Sequence, residues 1–184
     1  MRLAIVIGII ALFIFLGVLI FGGHGSKPAP APVIGKALPD FADSDVEVRL
    51  TVDGEINSNK AHRQVIITVG RDQSTLQVNR GYQGDVLKSE SFANNTDAYS
   101  AFLHALSLAG FTLSRTSKFP NEQGQCPLGQ RYVYEVINNG NHNMRTWSTN
   151  CGSIGSFHGQ ANLTRQLFQN QIANYEDYVS DVEL

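Results

Sequence analysis

The runs Arg131-Tyr132-Val133-Tyr134-Glu135-Val136-Ile137 and Asn143-Met144-Arg145-Thr146-Trp147-Ser148 flank Asn138-Asn139-Gly140-Asn141. Asn-Gly between two strand-forming runs is the strongest short hairpin signal, because both central residues of the tight turn need positive φ. With Asn139-Gly140 as the turn, the numbers of opposed residues sum to 279, so Tyr132 faces Trp147 and Tyr134 faces Arg145. That register groups two tyrosines, a tryptophan and an arginine on one face, by aromatic and guanidinium-over-ring contacts. Trp, Tyr and Arg dominate interface hot spots, so Tyr132, Tyr134, Arg145 and Trp147 form the expected binding face. The competing reading is that these rings are the core face of the sheet.

The same register leaves Cys126 and Cys151 two residues out of step at the open end of the hairpin, next to Pro127. A local irregularity there brings them within bonding distance, so a Cys126–Cys151 disulfide is expected. Closing a loop of roughly 25 residues contributes about 3–4 kcal/mol in the chain-entropy model. A lone cysteine pair so placed points to an oxidising compartment.

Upstream, Val46 to Val52 alternates apolar and polar without a break, and Gln64 to Val69 repeats the pattern. Gly70 to Gln73 turns the chain into a strand carrying Leu76 and Val78, and a weaker strand runs from about Asp85 to Phe92. The period then changes: Tyr99, Phe102, Leu103 and Leu106 fall at helical spacing. Asn95 or Thr96 caps the start, Asp97 suits the positive end, and Gly110-Phe111 supplies a Schellman-type stop. After the hairpin a glycine-rich loop, Gly152 to Gly159, leads to a helix from about Asn162 to Gln171 with Leu163, Leu167 and Phe168 inward; Tyr175 and Tyr178 pin the tail. The expected fold is α+β: an N-terminal transmembrane helix, then a small antiparallel sheet of about five to six strands packed with two helices and held by one disulfide.

The transmembrane segment is Leu3 to Phe21, nineteen residues without charge or proline. As a helix it spans about 28 Å, close to the hydrocarbon thickness of a bilayer. A signal peptide has a shorter apolar run, and Pro32 hinders cleavage after Ala29-Pro30-Ala31. Residues 1–2 are read as a cytoplasmic stub and 22–36 (GGHGSKPAPAPVIGK) as a Gly/Pro/Ala stalk of partly polyproline II character. Residues 37–184 are read as one extracytoplasmic domain. Flanking charge does not choose the side, since Arg2 and the amino terminus balance Lys27 and Lys36; the cysteines place the domain outside.

All 16 acidic residues of the chain lie in 37–184 with 11 of the 14 basic ones, a net charge of −5. That balance excludes nucleic acid as a partner and opposes a grip on anionic lipid. The expected partners are the bilayer, through residues 3–21, and an envelope protein. The five histidines (24, 62, 104, 142 and 158) show no H-x-x-x-H spacing, so no metal or other cofactor is expected. Gly155-Ser156-Phe157-His158-Gly159 puts Ser156 beside His158, but it departs from the G-x-S-x-G elbow and reads more simply as a flexible loop. Glu176-Asp177 lies in a tail too loose for acid–base chemistry.

Cys126-Pro127-Leu128-Gly129-Gln130-Arg131-Tyr132, Arg145-Thr146-Trp147-Ser148-Thr149-Asn150-Cys151 and Leu167-Phe168-Gln169-Asn170-Gln171-Ile172 resemble a family of uncharacterised, short, N-terminally membrane-anchored bacterial proteins. This resemblance covers most of the domain and implies the anchored topology without an activity. In element order alone the chain is similar to emfourin-type protease inhibitors, which implies a protein-binding role. The expected function is therefore a non-enzymatic, membrane-anchored extracytoplasmic binding module. The alternatives are an inhibitor-like or structural subunit of an envelope complex, and, behind these, a hydrolase using Ser156 and His158.

Overall fold

The computed structural model describes residues 36–152 and 155–184. The segment Leu3–Phe21, nearly all of the stalk and His24 lie outside the described residues. Among the described residues, no helix is long and apolar enough to cross a membrane.

The chain runs through β1 (Val46–Asp53), β2 (Arg63–Val69), β3 (Gln73–Arg80), β4 (Asp85–Ala93), α1 (Thr96–Leu108), β5 (Arg131–Asn138), β6 (Asn141–Thr149), α2 (Ala161–Gln169) and α3 (Tyr175–Val179), after a 3-10 turn at Leu38–Phe41. The strands form one antiparallel sheet in the order β4-β3-β2-β1-β5-β6. The third helix, α3, is one more than the sequence suggests. It is a single exposed turn that carries Tyr175 and Tyr178 against the core.

Strict alternation in β1 buries Val46, Val48, Leu50 and Val52 on the face that carries the helices. In register beside them lie Val65, Ile67 and Val69 of β2, Leu76 and Val78 of β3, and Tyr132, Tyr134 and Val136 of β5. Helix α1 closes this layer with Tyr99, Phe102, Leu103 and Leu106, and the Tyr99 hydroxyl donates to the Val46 carbonyl at 2.6 Å. Asn95 caps α1 by accepting from the Ala98 N–H at 2.9 Å. At its other end Gly110, at φ 74°, lets Phe111 N–H reach the Leu106 carbonyl and Gly110 N–H that of Ser107. Both bonds define the Schellman stop.

Helix α2 turns differently from the expectation. Phe168 is fully buried and Leu167 packs against the core, but Leu163 is 39% exposed and Thr164 takes the inward position. Thr164 and Phe168 are four apart, so they share one helix face, and Leu163 falls a step of about 100° off it.

Strand β5 is buried on both sides, with only Asn138 partly exposed. Its second side, with Arg145 of β6 beside it, meets the connection between α1 and β5. There Glu122 meets Arg145, and the Gln125 and Cys126 carbonyls meet Arg131. The Cys126–Cys151 disulfide, with Cα atoms 5.8 Å apart, ties this connection to the end of β6.

Candidate functional site

The hairpin turns at Asn139-Gly140, both at positive φ, and its first pairs, Asn138 with Asn141 and Ile137 with His142, follow the expected register. Between Val136 and Ile137 the pairing then shifts by one: Val136 opposes Met144, leaving Asn143 as the extra residue of a bulge. From there Tyr134 faces Thr146, Val133 faces Trp147, Tyr132 faces Ser148 and Glu135 faces Arg145. The expected Tyr132–Trp147 and Tyr134–Arg145 pairs do not form. A one-residue slip moves every following side chain to the other face.

Consequently the four residues divide between two surfaces. Tyr132 and Tyr134 look toward the helices. Tyr134 stacks on Phe157 at 4.0 Å between centroids, meets Phe111 edge-on and shares a 3.1 Å hydrogen bond with Ser148 Oγ. Tyr132 lies under the Arg165 guanidinium, 4.2 Å from the ring centre, and donates to Gln130 Oε1 at 2.6 Å. Burial pushes both phenols above the ordinary tyrosine range.

Trp147 and Arg145 lie on the reverse face. Trp147 is 1% exposed. Arg145 bonds Glu122 Oε1 at 2.6 Å and approaches Glu135 Oε1 at 3.5 Å, while His142 Nδ1 lies 2.9 Å from the same Glu135 oxygen. Burial opposes the Arg145 charge, but the hydrogen bond and charge of Glu122 outweigh it and hold the guanidinium above its ordinary value.

A polar knot that the local sequence pattern does not announce sits where β1 and β5 meet. Arg131, 2% exposed, holds Asp53 Oδ2 through Nη2 at 2.6 Å and Nε at 2.7 Å; it also donates to the Gly54, Gln125 and Cys126 carbonyls. Gln64 donates to Asp53 Oδ1 at 2.7 Å. His62 Nε2 lies 2.9 Å from that oxygen, off the hydrogen-bonding line, and Nδ1 donates to the Glu55 carbonyl at 3.0 Å. Tyr82 stacks on the imidazole at 4.1 Å. An Asp–His pair resembles the orienting half of a charge-relay site, but a base needs a nitrogen open to substrate. His62 is fully buried and both its nitrogens face protein oxygens, so the knot fastens strand ends to the connection.

Ser156 and His158 lie on a short extended segment against the outer edge of β6. Ser156 Oγ accepts the Trp147 N–H at 3.1 Å, and Phe157 N–H donates to the Trp147 carbonyl at 2.9 Å. A Cβ on Gly155 would stand 2.1 Å from that carbonyl oxygen, so glycine is needed for the approach. On its far side the segment bridges residues 113–115, by Arg115 N–H to the Ser156 carbonyl and His158 N–H to that of Leu113. Ser156 is therefore an acceptor for the strand edge, and His158 is exposed. Glu176 and Asp177 stand exposed in the first turn of α3. Among the described residues, no three His, Cys, Asp or Glu side chains are grouped to hold a metal ion.

What remains open is the other half of the reverse face. Arg49 and Thr51 of β1, Ile66 and Thr68 of β2, and Thr75 and Gln77 of β3 lie there in register, all partly exposed. Arg49 Nε donates to Thr68 Oγ1 at 3.1 Å. This surface offers hydroxyls, an amide, one cation and one aliphatic side chain.

No protein-family model matches the chain, and no curated protein matches it.

Proposed function

We propose that this chain is a membrane-anchored interaction module of the cell envelope whose folded domain binds a protein partner without catalysis. The observation that carries the reading is the uneven covering of the sheet. Over β5 both faces are buried, whereas over β1–β3 the reverse face is a polar platform around Arg49, Thr68 and Gln77. The aromatic residues first expected to form the contact surface are spent on the core, so the platform replaces them as the binding face.

The anchor rests on the apolar run Leu3–Phe21 and its length match to a bilayer. The outward orientation rests on the Cys126–Cys151 bond, which is characteristic of oxidising compartments. Inhibitor-like and structural-subunit roles are special cases of the same binding activity.

The test is a photo-crosslinking side chain placed at Gln77 in the full chain, expressed in its host membrane. An adduct with a second protein, lost when the probe sits on exposed Ala101 of α1 instead, is the expected result. If no adduct forms at Gln77, Thr75 or Thr68, the platform is not a binding face. Activity that survives His158→Ala and Ser156→Ala would likewise remove the hydrolase alternative.

A further inference from the structure

The two edges of the sheet are treated differently. The outer edge of β6 is covered by Gly155–Phe157, which exchanges backbone and side-chain hydrogen bonds with Trp147. Among the described residues, no strand pairs with the outer edge of β4, a nine-residue strand. Such an edge offers a row of main-chain donors and acceptors to another strand. Val86 and Leu87 beside it are 56% and 45% exposed.

The charges on β4 identify the strand that fits. Lys88 and Glu90 are two apart, so they project from the same face. Antiparallel pairing of two copies uses a two-fold axis perpendicular to the sheet, which must pass through a residue for the faces to match. An axis at Lys88 sets two lysines against each other, and an axis at Glu90 does so for two glutamates. An axis at Leu87 or Ser91 leaves both charges unmatched. Only an axis at Ser89 sets Lys88 opposite Glu90 of the second copy, twice; the regular match runs over Lys88–Glu90, because Leu87 is the extra residue of a bulge that turns Val86 to the reverse face. Directly opposed unlike charges stabilise a strand pair and like charges oppose it. The charges that turn other strands away therefore match when the partner is the chain itself.

We propose that β4 pairs with β4 of a second copy of this chain, antiparallel about a two-fold axis at Ser89, so that two sheets become one continuous sheet. In each copy Lys88 already holds Asp181 at 2.7 Å, and Glu90 of the other copy completes a three-charge chain on the helix-bearing face. The pairing goes beyond the binding role of the platform, which lies on the reverse face and stays open in the dimer.

The axis gives a sharp test. At either antiparallel spacing, about 4.5 or 5.5 Å between Cα atoms, a residue opposed to itself is within disulfide range. In the full chain in detergent, Ser89→Cys should form an intermolecular disulfide under mild oxidation and Ser91→Cys should not. The unmodified chain should sediment as a dimer. Glu90→Lys, at an exposed edge position, should weaken the dimer by roughly tenfold or more through two like-charge contacts, with Trp147 emission unchanged as a check on folding. A monomer with no Ser89→Cys cross-link overturns the proposal, as does a dimer that cross-links at Ser91→Cys instead. Loss of self-pairing while Gln77 still captures a protein would remove this inference alone.

Discussion

Arg131 closes on Asp53 across 78 residues of sequence, its guanidinium 2.6 Å from the carboxylate and almost wholly out of solvent. The pair joins the last residue of β1 to the first of β5, and through the Gln125 and Cys126 carbonyls it also holds the connection over the reverse face. One ion pair thus organises three segments.

Removing one member leaves the other charge buried without a counter-ion, the costly case for an ion pair. Asp53→Ala should lower unfolding free energy by about 3 kcal/mol. Arg49→Ala, on the partly exposed platform, should stay within about 1 kcal/mol. Urea titration of both variants checks this; equal midpoints would show that the knot is not a fastening.

The bulge at Asn143 fixes which residues oppose one another. Nuclear Overhauser contacts between backbone protons should link Val133 with Trp147 and Tyr134 with Thr146. Trp147 emission should be blue-shifted and insensitive to iodide. Contacts between Tyr132 and Trp147 would restore the unbulged register and overturn this one.

Reduction of Cys126–Cys151, or the double change to serine, should cost about 3 kcal/mol by the loop-closure argument. Because the bond ties the connection that carries Glu122 to the end of β6, two pairs along from buried Trp147, breaking it should also red-shift the tryptophan and admit quencher. Loss of stability without any change in Trp147 would mean that the Arg131 and Glu122 contacts hold the connection alone.

Burial raises the phenols of Tyr132, Tyr134 and Tyr175. In the unfolded chain these groups begin to ionise near pH 10, while the folded protein keeps them protonated. The folded state then binds more protons, so stability is intact below pH 10 and falls as pH rises above it. Thermal midpoints between pH 8 and 11.5, followed with tyrosinate absorbance, should show ionisation of the buried rings coinciding with unfolding. Full ionisation of all tyrosines in a folded protein would contradict their burial.

The parts of this fold that local chemistry determines are legible in the sequence. Val46–Val52 reads as a strand because alternation alone buries one face, and α1 reads to its ends because Asn95 and Gly110 act within one turn of their own positions. The disulfide follows from the hairpin even though the hairpin register does not. Nothing near Asn143 signals an inserted residue, and that single residue sends Trp147 and Arg145 away from Tyr132 and Tyr134. The Asp53–His62–Arg131 knot is invisible for another reason: its members meet only after β1, β2 and β5 are in register, and each alone looks like an ordinary surface residue. The covering of β5 on both sides does leave a trace, in the run Tyr132-Val133-Tyr134 and Val136-Ile137, apolar on both faces as doubly buried strands are.

The strand order carries a cost in time. Strands β1 to β4 are neighbours in sequence and can form as a meander soon after they are made, but the partner of β1 on its other side is β5. Until Arg131–Asn138 arrives, a nascent meander has an unpaired strand at each side and lacks the hairpin that completes its core. Such late, long-range pairing slows folding and lengthens exposure to aggregation. The Val46–Asp53 edge is therefore the part of the nascent sheet that waits longest for its partner, and Cys126 cannot pair until Cys151 has followed β6.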